Sequence, residues 1–84
     1  MMDEYTLSQL RPGAQATVTD LKMEGGMRRR LQDLGLVNGC RVACVERSPL
    51  GDPIAYRICG AVVALRREDA DAVCIAGVSV NAGA

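Results

Sequence analysis

The side chains able to do chemistry in this 84-residue chain are few: Cys40, Cys44, Cys59 and Cys74, the run Arg28-Arg29-Arg30, the carboxylates Glu68, Asp69 and Asp71, and scattered serines. Cys40 and Cys44 have the look of half a metal site. On a strand, however, residues four apart are separated by about 13 Å at ~3.3 Å per residue, too far for two sulfurs on one tetrahedral ion. Cys59 and Cys74 stand alone in the sequence and there is no histidine, so the thiols read as structural or incidental, with no metal ligands assigned. Ser8, Ser48 and Ser79 lack the histidine of a hydrolytic triad. A phosphate loop is absent and the single lysine is Lys22, which removes that route to nucleotide hydrolysis. Three guanidiniums beside a helix start could hold an anion. Pairing of Arg29 and Arg30 with Asp33 on a wet helix face is the simpler reading, and no aromatic platform for bases accompanies them. The acidic cluster suits the first turn of a short helix, where negative charge meets the positive end of the peptide dipoles.

What remains is contact chemistry. Leu50, set between Pro49 and Gly51 at a hairpin tip, is an apolar side chain with little core within reach. It either folds back on its own hairpin or meets a partner. Arg28, Arg29 and Met23, near the flexible Gly25-Gly26 pair, are the other candidate partner contacts. Met27, on the other side of that pair, is either a further adaptable apolar contact or, more commonly for such a residue, core.

The elements that must position these residues are short. Residues 28–42, RRRLQDLGLVNGCRV, join a helix to a strand through two placed glycines. Met27, Leu31 and Leu34 recur at helical spacing and form the apolar face, with Leu36 as a further core residue. Gly35 ends the helix in a left-handed cap with Leu36 as its hydrophobic contact, and Asn38-Gly39 makes the next turn. Beyond it the period becomes two, with Val42 and Cys44 on one face and Arg41 and Arg47 on the other. Five strands are expected, over residues 14–21, 40–47, 54–59, 61–66 and 74–80. In the first, Val18 points inward with Ala16, and Asp20 follows on that face while Leu21 falls opposite. Residues 6–10 form a short turn-like or helical opening, residues 48–53 a wide hairpin tip, Gly60 a tight turn, and residues 67–72 a single helical turn that directs Ala70 and Val73 inward.

Five strands with short connections must bury a common apolar face, and closure into a small barrel with the helix plugging one end achieves it. The fold expected is therefore mainly β, one domain over residues 1–84 with an ordered core of about 6–78. Only Tyr5 and Tyr56 are aromatic, so the core is aliphatic. Ten basic and ten acidic residues cancel, which removes a general attraction to nucleic acid or anionic lipid. Asp3 and Glu4 stand where a secretory leader would be basic, and no apolar run nears the ~20 residues of a membrane span. A cytoplasmic protein with reduced thiols is expected.

Four segments in order carry a family resemblance: Leu7-Ser8-Gln9-Leu10-x-Pro12-Gly13, Arg30-Leu31-Gln32-Asp33-Leu34-Gly35-Leu36 with Gly39, Pro49-Leu50-Gly51-Asp52-Pro53-Ile54, and Ala64-Leu65-Arg66-Arg67 with Ala70. Together they resemble the FeoA family, ferrous iron transport protein A. The resemblance implies an SH3-like barrel and a cytoplasmic, non-enzymatic accessory of bacterial ferrous iron uptake. It also implies association with the cytosolic GTPase region of the membrane transporter FeoB, with modulation of it, and no cofactor. Weak self-association is compatible with this. The family pattern does not require cysteines, so a cysteine-based metal or redox sensor, or a metal-dependent regulator module, stands as the alternative.

Overall fold

The computed structural model describes residues 5–80. In chain order the elements are β1 (Tyr5–Thr6), a 3-10 turn (Leu7–Gln9), β2 (Ala14–Leu21), α1 (Gly26–Asp33), β3 (Arg41–Arg47), β4 (Ile54–Ile58), β5 (Ala61–Leu65), α2 (Arg67–Ala70) and β6 (Val73–Val80). The strands form one antiparallel sheet in the order β1-β6-β2-β3-β4-β5, leaving β1 and β5 as its edges. The mainly β architecture matches expectation, with six strands in place of five. The added strand, β1, consists of Tyr5 opposite Ile75 and Thr6 opposite Cys74. Two residues carry no periodicity, so only the presence of β6 specifies this strand.

The core is aliphatic: Leu7, Leu10, Ala16, Val18, Leu31, Leu36, Val42, Ile54, Ile58, Val73 and Ile75 are all buried, with Tyr56 among them. The buried Tyr56 hydroxyl donates to the Leu7 carbonyl at 3.0 Å, tying the middle of the sheet to the opening turn. Ser8 of that turn donates its hydroxyl to Asp71 beyond α2. In this way the sheet curls until the segments preceding β2 and β6 meet.

Two bulges correct the expected strand phases. In β2 the register against β6 runs Val18 to Ile75, then Asp20 to Cys74 and Leu21 to Val73, so Thr19 is an extra residue. Leu21 is therefore buried and Asp20 exposed, the reverse of simple alternation. In β3 the pairs Cys44 to Tyr56 and Glu46 to Ala55 leave Val45 extra, which brings Arg47 opposite Ile54 on the inner face. Its guanidinium then donates to the Ser8 carbonyl at 2.5 Å and the Leu10 carbonyl at 3.1 Å. Arg47 is thus a buried-side clamp on the opening segment and not a wet-face residue.

The helix end follows its sequence signals. The Leu36 amide donates to the Leu31 carbonyl at 3.0 Å and the Gly35 amide to Gln32 at 3.0 Å, the paired bonds of a Schellman cap. Gly35 adopts φ +109°, a region that residues with a Cβ rarely enter. The Cys40 amide bonds to Val37 at 2.9 Å across the Asn38-Gly39 turn, delivering the chain to β3. Leu31 and Leu36 are buried, Leu34 half-buried, and Met27 36% exposed, so the helix inserts a shorter stripe than its spacing predicts. Met27 lies in the first turn, where it lines a shallow cleft with Val63 and Leu65.

Candidate partner-docking surface

The hairpin between β3 and β4 is shaped by residues that exclude ladder pairing at its tip. Pro49 lacks a donor, Gly51 takes φ +84°, and the Gly51 amide closes a turn on the Ser48 carbonyl at 2.7 Å. Ser48 donates twice to the Pro53 carbonyl, from its amide at 3.2 Å and its hydroxyl at 2.8 Å. Asp52 then accepts the Arg67 amide at 3.0 Å, pinning the tip to the first residue of α2. On this braced loop Leu50 is 94% exposed. It does not fold back on its own hairpin. A leucine held outward on a pinned loop has already lost the backbone freedom that binding would otherwise cost.

The tip belongs to a wider face. Asp52 and Pro53 border a depression with Ala64 and Arg66, and the same Ala64 and Arg66 border the cleft holding Met27, Arg30 and Leu34. Edge strand β5 therefore connects the hairpin tip to one flank of α1. Along it Val62 is 57% exposed. This surface mixes the apolar side chains of Met27, Leu34, Val63 and Leu65 with the guanidiniums of Arg30 and Arg66 and the carboxylates of Glu68 and Asp69, a mixture suited to protein contact.

Of the expected contact residues, Leu50 stands at the hairpin tip that adjoins this face. Arg28 does different work: its Nη1 donates to the Leu21 carbonyl at 2.8 Å and to the Met23 carbonyl at 3.4 Å, so it holds the β2–α1 connection. Met23 is half-buried against the core. Arg29 is exposed and shares a separate cleft with Arg28, Gly25, Gly26 and Gln32 on another side of the helix. Neither Arg29 nor Arg30 pairs with Asp33; among the described residues the ion pair present is Lys22 with Asp20 at 3.3 Å. Exposed pairs gain little in water, so the helix face stays unpaired. Sequence spacing gives Met27 to the core and Arg30 to a pair with Asp33, and neither Val62 nor Arg66 stands out as a contact, although the alternation of β5 with an apolar residue on both faces signals that one face lacks cover.

None of the four cysteines is joined in a disulfide. Cys44 and Cys74 are buried, and burial pushes the Cys44 thiol up from its ordinary value. Cys40 and Cys59, distant in sequence, lie with their sulfurs 3.8 Å apart. Among the described residues no three His, Cys, Asp or Glu side chains converge where a metal ion could sit. No helix among them is long and apolar enough to cross a membrane.

Comparison with known proteins agrees with this architecture. The FeoA domain model matches residues 5–76. The chain is 40% identical over 76 residues to an Fe(2+) transport protein A/Fe(2+) transporter FeoB fusion protein of Porphyromonas gingivalis, covering 90% of this chain and 9% of the fusion protein. The solution structure of FeoA from Chlorobium tepidum is 39% identical with a TM-score of 0.78, over 95% of this chain and 73% of that one. FeoA from Stenotrophomonas maltophilia complexed with zinc, described as a prokaryotic SH3 domain protein, is 28% identical with a TM-score of 0.81, over 90% and 96% of the two chains.

Proposed function

The chain belongs to the FeoA family, and from that premise we propose that it is a non-enzymatic, cytoplasmic accessory of bacterial ferrous iron uptake. It docks through the face built by the 48–53 hairpin, β5 and the flank of α1 on the cytosolic GTPase region of an FeoB-type membrane transporter. The single observation that carries the docking face is Leu50, 94% exposed on a loop braced by Ser48 and Asp52. Support for the partner comes from the fusion protein, in which a segment similar to this chain shares one polypeptide with an FeoB transporter. Covalent linkage holds two modules at high effective concentration, which benefits a pair whose contact is weak. The chain spans about a tenth of that relative's length, so what the remainder does is no property of this domain. Docking alters GTP turnover only where it favours one conformation of the GTPase over another.

Leu50→Glu tests the reading. Because the Leu50 side chain packs against almost nothing in the free protein, folding stability stays within about 0.5 kcal/mol of the parent. Affinity for the soluble GTPase region, measured by calorimetry, falls at least about tenfold, since burying a leucine contributes ~1.5–3 kcal/mol and the carboxylate adds a desolvation cost. Unchanged affinity removes the hairpin tip from the interface. GTP turnover measured alongside reports modulation separately from binding.

A further inference from the structure

From the juxtaposition of Cys40 and Cys59 we infer that these two residues form a redox-active dithiol, oxidised to an intramolecular disulfide by a low-molecular-weight disulfide of the glutathione class. The inference is independent of the docking face. Its first support is distance: the sulfurs are 3.8 Å apart, within ~2 Å of the ~2.05 Å of a bond. Its second is backbone. Cys59 and Gly60 are the two central residues of the β4–β5 hairpin, between paired Ile58 and Ala61, and both have positive φ, 52° and 84°. That is the type I′ pattern, which selects Asn, Asp or Gly at its first position. Cys59 is the single non-glycine residue at positive φ among those described. A cysteine at this position costs stability and projects its thiol from the barrel end toward Cys40, which precedes β3.

The two thiols differ in the way such a pair requires. Cys59 is exposed and Cys40 half-buried. Burial, and then the neighbouring Cys59, raise the Cys40 thiol above its ordinary value, which disfavours its thiolate relative to an unburied cysteine. The Cys59 thiolate attacks one sulfur of the small disulfide; that S–S bond breaks, one small thiol leaves, and a mixed disulfide stands on Cys59. Cys40 then gives up its proton, its thiolate attacks the Cys59 sulfur, and the second small thiol leaves. The two protein thiols lose two electrons, the small disulfide gains them, and the two protein protons end on the released thiols. The new bond joins the β4–β5 turn to the start of β3 beside the helix cap, where the Cys59 sulfur already approaches the Gly35 carbonyl at 3.9 Å.

Equilibration of the full chain with graded ratios of reduced and oxidised glutathione, followed by alkylation and mass spectrometry, tests the inference. Trypsin separates all four cysteines onto different peptides, with Cys40 in 31–41 and Cys59 in 58–66. The expected product is a monomer lacking two hydrogens, in which peptide 31–41 is joined to 58–66 while Cys44 and Cys74 alkylate only after unfolding. Cys40→Ser is expected to halt the reaction with glutathione retained on Cys59, and Cys59→Ser to suppress both products. Accumulation of glutathione on Cys59 of the unaltered chain without the internal link overturns the inference, as does a link between two chains or one through Cys44 or Cys74. The unaltered chain decides the matter even where a variant fails to fold.

Discussion

Gly35→Ala isolates the contact that joins the helix cap to the far end of the sheet. Two costs combine at this position. The backbone holds φ +109°, and forcing a residue with a Cβ into so sparsely populated a region costs about 1–3 kcal/mol. The added Cβ would also stand 2.5 Å from the Cys59 sulfur and 3.2 Å from a methyl of the fully buried Ile58. Overpacking of that kind costs a further ~1–3 kcal/mol, so the substitution is expected to remove about 2–6 kcal/mol. For a domain of this size that is a large part of a total near ~0.05–0.15 kcal/mol per residue. Gly39→Ala supplies the reference: Gly39 has φ +95° but nothing within 4 Å of its would-be Cβ, so it reports backbone strain alone. Urea unfolding of the two variants, each in the parent and in a Cys59→Ala background, completes a double-mutant cycle. Removing the sulfur leaves Ile58 at 3.2 Å as the nearest atom, and the cost of Gly35→Ala is expected to fall by about 1–2 kcal/mol while that of Gly39→Ala is unchanged. Equal costs for the two glycines, insensitive to Cys59, would refute the claimed close approach.

Leu36→Ala, at a fully buried position, is expected to cost about 2–5 kcal/mol in the same assay, against ~1 kcal/mol for half-buried Leu34→Ala; equal losses would contradict the observed helix orientation. Alkaline titration has a definite sign. Burial raises the Cys44 thiol from 9.0 and the Tyr56 hydroxyl from 10.0 in the folded chain. The unfolded chain therefore releases these protons first, and stability present below pH ~9 is lost as pH rises, by up to about 1.4 kcal/mol per pH unit for each group. Tyr56→Phe is expected to flatten that loss above pH ~10, and denaturant midpoints measured from pH 8 to 11 check it. Leu50→Glu and the glutathione equilibration address the docking face and the dithiol.

The features legible in the sequence are those encoded by neighbours along the chain. Gly35 and Gly39 announce a cap and a turn because only glycine is comfortable there, and both bonds of the Schellman cap are present. Leu50 stands out because Pro49 and Gly51 deny it a strand. The features that were hidden are set by distant partners. The phases of Leu21 and Arg47 depend on Thr19 and Val45 being extra to the ladder, and alternation by itself contains no record of that. The pairing of Cys40 with Cys59 arises from the β3–β4 register, since Val42 lies opposite Ile58 and the two thiols fall just beyond that pair. Arg28 reads as a contact because it lies beside the flexible Gly25-Gly26 pair, whereas the carbonyls of Leu21 and Met23 recruit it.

Thr19 and Val45 also decouple the length of their strands from the geometry of what those strands hold. Because neither has a ladder partner, a chain one residue shorter at either point keeps Leu21 opposite Val73, and Arg47 opposite Ile54. Single-codon deletions, ordinarily ruinous inside a strand, have two places here to be absorbed. Relatives of unequal strand length can thus share one interior, and an alignment that insists on gapless strands would misassign the inward residues beyond each bulge.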